Sequence, residues 1–255
     1  MNITGNIILI TGGGSGIGRG LAEAFYKAGN QVVIAGRRKE ALKEVTTANP
    51  GMESILLDVA DVESISEASK ELARRFPKLN VVINNAGIMR AEKVRDPKDL
   101  STAEATVATN FLGPIRLNTA LLPMLLKQPH GAILTVSSGL GFLPLALTPT
   151  YCATKAAIHS YSQSLRWQLK DTGIQVIELV PPYLQTALMG SKQAEDPRAM
   201  PLTDFLEETM HILKTQPKVA EVCVEKVKFL RFAAENGKYA ALYQQFNELA
   251  PAPTE

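Results

Sequence analysis

Two hydrophobic periods take turns along this chain. Short apolar runs stand at residues 6–10, 31–35, 54–59, 81–87, 132–136 and 174–180, the fourth passing into a small polar turn. Rich in Val, Ile and Leu, they read as strands buried on both faces of a parallel sheet. Between them, residues 19–28, 39–49, 62–76, 101–127 and about 151–169 carry helical patterns. Asn49-Pro50-Gly51 stops the second of these, and Gly113-Pro114 interrupts the fourth. Strand–helix alternation throughout predicts a doubly wound α/β fold, a parallel sheet of about seven strands with helices on both faces, as one domain over 1–255.

The pattern weakens after residue 182. From Tyr183 to Pro201 the chain is rich in Pro and polar residues and has no clear period, so 183–215 is expected to be a substrate loop or lid, with a simple surface insertion as the alternative. Residues 216–250 are read as two packing helices, with Val222, Val227, Leu230 and Phe232 facing inward and a break at Asn236-Gly237.

Composition narrows the function. A hydrophobic share of 45% supplies a sizeable core, and a net charge of +2 argues against nucleic-acid binding. No apolar run approaches the roughly 18 residues of a membrane span, so no membrane insertion is expected. The first residues lack the basic and apolar regions of a secretory signal. Cys152 and Cys223 form no metal or redox spacing, so no metal is expected and reduced thiols in the cytoplasm are.

Chemistry gathers at the strand ends. The first strand runs into Thr11-Gly12-Gly13-Gly14-Ser15-Gly16-Ile17-Gly18 and then a helix. Missing side chains let backbone approach a pyrophosphate, and the helix start offers free N–H groups and partial positive charge. The spacing is Thr-Gly-x-x-x-Gly-x-Gly and lacks the Gly-Lys-Ser/Thr of a phosphate-binding NTPase loop. The second strand ends in Gly36-Arg37-Arg38, where an NAD site usually places an acid on the ribose 2′-hydroxyl. Guanidinium groups there fit a 2′-phosphate, so the cofactor is expected to be NADP(H), with NAD(H) second and Arg37 the principal contact. Asp58, ending the third strand, meets an adenine amino group or caps a helix. Asn84-Asn85-Ala86-Gly87 forms a turn small enough for backbone to approach a ribose. Asn110 falls inside a helix, where an Asn ordinarily points to solvent. Tyr151 and Lys155 stand four apart at a helix start, on one face, where an ammonium would lower the phenol's pKa and fit it for acid–base work.

These motifs, in this order and spacing, resemble the short-chain dehydrogenase/reductase family over residues 5 to about 190, a Rossmann fold. The resemblance rests on the Gly loop, Asn84 to Gly87, Asn110, Ser138 and Tyr151-x-x-x-Lys155. It implies that Tyr151 is the general acid–base and that Ser138 hydrogen-bonds the reacting oxygen. Lys155 would lower the Tyr151 pKa and bond the nicotinamide ribose, and Asn110 would hold a relay water. Thr11, Gly12, Gly14, Ser15, Gly16, Ile17, Gly18, Arg37, Arg38, Asp58, Val59, Asn85, Ala86, Gly87, Tyr151, Lys155, Pro181 and Thr186 are the implied cofactor contacts. Pro182 stands where the family has Gly, and Ser15 where its NADP members often carry a basic residue. Residues 148–159, the double proline and Lys226 to Phe232 look like the DltE-like oxidoreductase subgroup.

The resulting expectation is an oxidoreductase that interconverts a carbonyl compound and an alcohol. A non-catalytic nucleotide sensor on the same fold is the alternative. Leu140, Gly141, Phe142, Leu143, Leu145, Tyr183, Leu184 and Leu188 are expected to line an apolar substrate pocket or to belong to the core. His159 is read as a structural or interface histidine. A homodimer or homotetramer with two-fold symmetry is expected, through helices 101–127 and 151–169.

Overall fold

The computed structural model describes residues 1–96 and 100–249, so the end of the expected 216–250 tail lies outside the described residues. Strands β1 (Ile7–Thr11), β2 (Gln31–Gly36), β3 (Glu53–Leu56), β4 (Val81–Asn84), β5 (Gly131–Val136), β6 (Ile174–Val180) and β7 (Glu221–Cys223) form one sheet in the order β3-β2-β1-β4-β5-β6-β7. Every neighbouring pair is parallel. Helices α1 (Gly16–Lys27), α2 (Lys39–Ala48), α3 (Val62–Arg75), α4 (Leu100–Val107), α5 (Gly113–Leu125) and α6 (Pro149–Gln168) supply the crossovers. After β6 come α7 (Ser191–Ala194), α8 (Leu202–Thr215), α9 (Lys228–Arg231) and α10 (Tyr239–Glu248). No described helix is long and apolar enough to cross a membrane.

The strand order explains where a ligand can sit. The chain winds outward from β1 to β3, then returns to the other side of β1 to lay down β4. The β1 and β4 connections therefore leave in opposite directions and open a crevice at their carboxyl ends, the usual ligand position in such sheets. Alternation within the strands builds two cores. Ile8, Ile10 and Ile34 face α1 and α8, where Leu21, Phe25 and Phe205 are fully buried. Leu9, Val33, Val82 and Ile133 face the other layer, with Leu72, Leu117 and Leu121. On α1 the buried positions Gly18, Leu21, Ala22 and Phe25 follow helical spacing.

Thr11 laces the crevice floor. Its hydroxyl oxygen accepts from Asn85 N and Ala86 N, each at 3.0 Å, and its hydroxyl donates to the Ile83 carbonyl. Asn85 Nδ2 donates back to Thr11 O at 2.8 Å. The Gly loop and the β4 turn are thereby fixed to each other.

Four expectations change. The seventh strand lies within the tail expected to be helical: Glu221-Val222-Cys223 pairs with β6, and three residues are too few to show a strand period. The segment 183–215 is not all loop, because α8 packs on α1, with Leu206 against Gly20. The third strand stops at Leu56, although Leu57 and Val59 beyond it remain buried. The interruption in 101–127 is a π-helical turn at Ala108–Leu112, one residue before Gly113. π turns within longer helices are rare and occur frequently at functional sites.

Candidate active site

The loop after β5 and the start of α6 bring three side chains together. Ser138 follows the end of β5 by two residues, accepts from Leu140 N at 3.1 Å and caps a short 3-10 turn at Gly139–Gly141. A Cβ on Gly141 would lie 2.9 Å from the Lys155 main-chain carbon, so only glycine lets this turn rest on α6. That contact sets Ser138 against the first turns of the helix, near enough to Tyr151 for its hydroxyl to act on the phenol's pKa. The Lys155 ammonium lies 5.5 Å from the Tyr151 ring centre and donates to Val136 O at 2.7 Å. Tyr151, Lys155 and Ser138 are all buried.

Burial governs both titrating groups. It pushes the Tyr151 phenol above its ordinary value, and the nearby Ser138 hydroxyl offsets only part of this. It also draws the Lys155 ammonium down to about 8, against the pull of the Glu178 carboxylate. The phenol therefore lies above, not below, its ordinary value, because burial is the largest influence on it, and the Lys155 ammonium spends its hydrogen bond on β5.

Asn110 is 2% exposed and does not point to solvent. Its Oδ1 accepts from Ile88 N at 2.9 Å and its Nδ2 donates to Ile88 O at 2.8 Å, so its amide ties the π turn to the chain just after Gly87. A longer contact, 3.4 Å, reaches the Thr154 hydroxyl on α6.

The Gly loop faces the same end of the sheet. Gly12 has φ +68°, in the left-handed region, and a Cβ there would lie 2.8 Å from Asn85 Nδ2. A Cβ on Gly18 would lie 2.3 Å from Gly12 O. The first turn of α1 has no acidic residue and Ser15 makes no side-chain cap, so its N–H groups face an open, electropositive cradle. Thr186 lies across from Gly16, and Pro181 O accepts from Gly139 N at 3.0 Å. Arg38 donates to Ser15 Oγ at 2.9 Å, while Arg37 pairs with Asp58 at 3.7 Å. Arg38, rather than Arg37, thus touches the glycine loop.

Other expected contacts have structural duties. The Thr11 hydroxyl is taken up by main-chain groups, and Val59 is packed in the core. Gly14 packs against Ala41. Ile17 packs against the α1 core. Asp58 caps no helix: its Oδ1 accepts from Ala60 N, and Asp61 caps α3 instead. Of the expected pocket, Leu143 and Leu184 are core, and Phe142 stacks beneath Arg231. Leu140, Leu145, Tyr183 and Leu188 are not fully buried.

Residues 6–197 match the short chain dehydrogenase family. The uncharacterized oxidoreductase DltE of Bacillus subtilis (strain 168) is 39% identical over 252 residues, 97% of this chain and 98% of that protein. The chain belongs to the short-chain dehydrogenase family. Within these oxidoreductases it is DltE-like. An uncharacterized oxidoreductase of Staphylococcus aureus (strain N315) is 32% identical over 230 residues, covering 88% of this chain and 99% of that one. Among solved structures, a short-chain dehydrogenase from Burkholderia cenocepacia J2315 in complex with NADP has TM-score 0.81 at 25% identity, covering 98% of this chain and 100% of that chain. A Burkholderia phymatum short-chain dehydrogenase/reductase in complex with NAD shares the fold, with TM-score 0.79 at 19% identity and 100% coverage of both chains.

Sequence reasoning missed the residues that hold α6 of this short-chain dehydrogenase in place. Glu92 is 7% exposed and accepts from Thr150 N at 3.0 Å and from Thr150 Oγ1 at 2.6 Å, a carboxylate at the positive end of α6 beside Tyr151. No spacing in the sequence joins Glu92 to a helix that starts nearly sixty positions later. Asn247 on α10 binds Ala146 N and Pro144 O, and Leu230 and Val227 close on Gly139, so the C-terminal segment braces the Ser138 loop. Glu92→Ala should lower the unfolding free energy by about 1–3 kcal/mol, the value of a charged hydrogen-bond acceptor at a helix start. Urea denaturation measures it; a change below about 0.5 kcal/mol would remove Glu92 from the account.

Proposed function

We propose that this chain is an NADP(H)-dependent oxidoreductase that interconverts a carbonyl compound and an alcohol. The observation that carries the proposal is the buried cluster of Ser138, Tyr151 and Lys155, with the Lys155 ammonium 5.5 Å from the centre of the Tyr151 ring. When bound, the dinucleotide supplies hydride to the carbonyl carbon or accepts it from the alcohol. Tyr151 gives its phenol proton to the carbonyl oxygen in reduction and takes it back in oxidation. A phenol pushed upward by burial remains protonated through neutral pH, the form a reductase needs. Ser138 bonds the same oxygen and stabilises charge as it develops. Lys155 supplies fixed positive charge to the phenol's surroundings and a donor to the nicotinamide ribose. Asn110, holding the π turn, is assigned the relay water.

Two features support a dinucleotide with a 2′-phosphate. Gly36 leaves the end of β2 without an acid, and two exposed arginines follow it, one on Ser15 and one on Asp58. The Burkholderia cenocepacia relative with NADP adds support by similarity. The partly exposed apolar residues Leu140, Leu145 and Leu188 favour a hydrophobic carbonyl substrate over a polyanion. A cytoplasmic two-fold oligomer through α4–α5 and α6 completes the reading, supported by Leu100, Val107 and Trp167 on their outer faces.

The direct test is NADPH oxidation with a panel of apolar aldehydes and ketones. Tyr151→Phe should lower kcat by about a thousandfold or more while NADPH affinity stays within a few fold, since acid–base catalysis contributes about 10²–10⁴. Retained turnover would overturn the assignment. Calorimetry checks the cofactor: wild type should bind NADPH more tightly than NADH, and Arg37→Ala with Arg38→Ala should abolish the difference. At roughly 1.5–3 kcal/mol per charge-assisted bond, the loss is about tenfold or more. Equal affinities in the wild type would contradict the role of the arginines.

A further inference from the structure

Behind the catalytic residues lies a charged group that no step above uses. Glu178 is fully buried in the middle of β6, on the face that carries Ile174 and Val176 toward α6. A lone carboxylate in such a place is costly unless it is paired. Its Oε2 meets His159 Nδ1 at 2.7 Å, and its Oε1 has no hydrogen-bond partner. His159 stands one helical turn after Lys155, on the same face of α6, and its other ring nitrogen reaches Gln163 at 3.1 Å. Glu178 is in register with Thr135 on β5, and the next residue, Val136, receives the Lys155 ammonium. One helix face therefore lays a cation and an imidazole over one sheet position that holds an anion.

The other charged groups around Glu178 are already matched. Glu221, its register partner on β7, accepts two hydrogen bonds from Arg231, which also pairs with Glu235. Arg231 lies over the Phe142 ring at 4.4 Å, and Phe142 meets the His159 ring edge-on at 4.6 Å. Cys223 follows on β7, its thiol pushed up by burial and by Glu221. His159, Glu178 and Glu221 bring their ligand atoms within 4.8 Å of one another, but the Arg231 fork already occupies Glu221, so the trio is a charge network rather than a cation site.

We propose that Glu178, held by His159, is a positioning residue of the active site: its buried carboxylate is the counter-charge that keeps the Lys155 ammonium charged and directed at the end of β5. The role presupposes the carbonyl chemistry proposed above. It accounts for three otherwise unconnected facts. An acid sits in an apolar strand, its second oxygen lacks a hydrogen-bond partner, and a histidine lies two turns beyond the tyrosine. The His159 bond fixes the carboxylate's orientation. Without the carboxylate, desolvation acts on Lys155 unopposed.

The test reads Lys155 itself. Protein labelled with ¹³C at lysine Cε is titrated by NMR, with the Lys155 resonance assigned through Lys155→Met. The wild-type midpoint is expected near 8. Glu178→Gln should move it downward by one unit or more, and His159→Leu should move it the same way by less. In turnover, the loss caused by Glu178→Gln should grow with pH, reaching about fivefold at the wild-type Lys155 midpoint and approaching about tenfold above it, because one unit of displaced titration is tenfold in the charged-to-neutral ratio. An unmoved midpoint with a uniform loss at every pH would overturn the proposal and leave Glu178 a packing residue. Should Glu178→Gln fail to fold, His159→Leu decides: a lowered midpoint supports the pairing and an unmoved one overturns it. The titration needs no substrate. A shifted midpoint in a protein that turns over no carbonyl compound would therefore retain the charge pairing and sink the reaction.

Discussion

The burial of one ammonium group is the constraint on which the site depends. Lys155 is 5% exposed, and a charge so placed needs partners that water would otherwise supply. It has the Val136 carbonyl at the end of β5, the face of the Tyr151 ring and the field of a carboxylate in β6. Each comes from a different part of the fold. The sheet must hold β5 and β6 in register, α6 must lie across them, and Gly141 must let the Ser138 turn touch the helix. A low-dielectric setting strengthens these contacts, and the same setting raises the cost of leaving any of them unmade.

A second constraint concerns backbone rather than charge. The crevice between β1 and β4 exists because the chain reverses its winding there, and it stays open because Gly12 and Gly18 carry no Cβ. Thr11 and Asn85 exchange main-chain and side-chain hydrogen bonds across it, so the loop that would hold phosphates is fixed to the turn that would approach the ribose. Both halves of the site thus lie on one rigid sheet end, which suits chemistry that depends on the distance between a hydride donor and a proton donor.

The parts of this design that were legible in the sequence share a physical reason. Short runs dominated by Val, Ile and Leu identify six of the strands without help from the rest of the chain, and glycines at fixed offsets after the first of them mark the loop. Helical spacing puts Tyr151 and Lys155 on one face, and the motifs elsewhere in the chain single the pair out. What stayed hidden depends on distant partners. β7 is a strand because β6 offers it a ladder, and its three residues carry no period. Asn110 is buried because a π turn carries its side chain to Ile88. The sign of the Tyr151 shift follows from burial, which spacing does not contain. Glu92 and Glu178 make hydrogen bonds that appear only when α6 is laid against them.

Deuteride transfer tests the central claim most directly. The protein would be incubated with NADPH carrying deuterium at the transferable C4 position and an apolar aldehyde or ketone, and the alcohol would be analysed by mass spectrometry. The account predicts an alcohol with one deuterium on its carbinol carbon from the wild type and none above background from Tyr151→Phe. Bound NADPH with no deuterium transferred to any member of a broad carbonyl panel would contradict it.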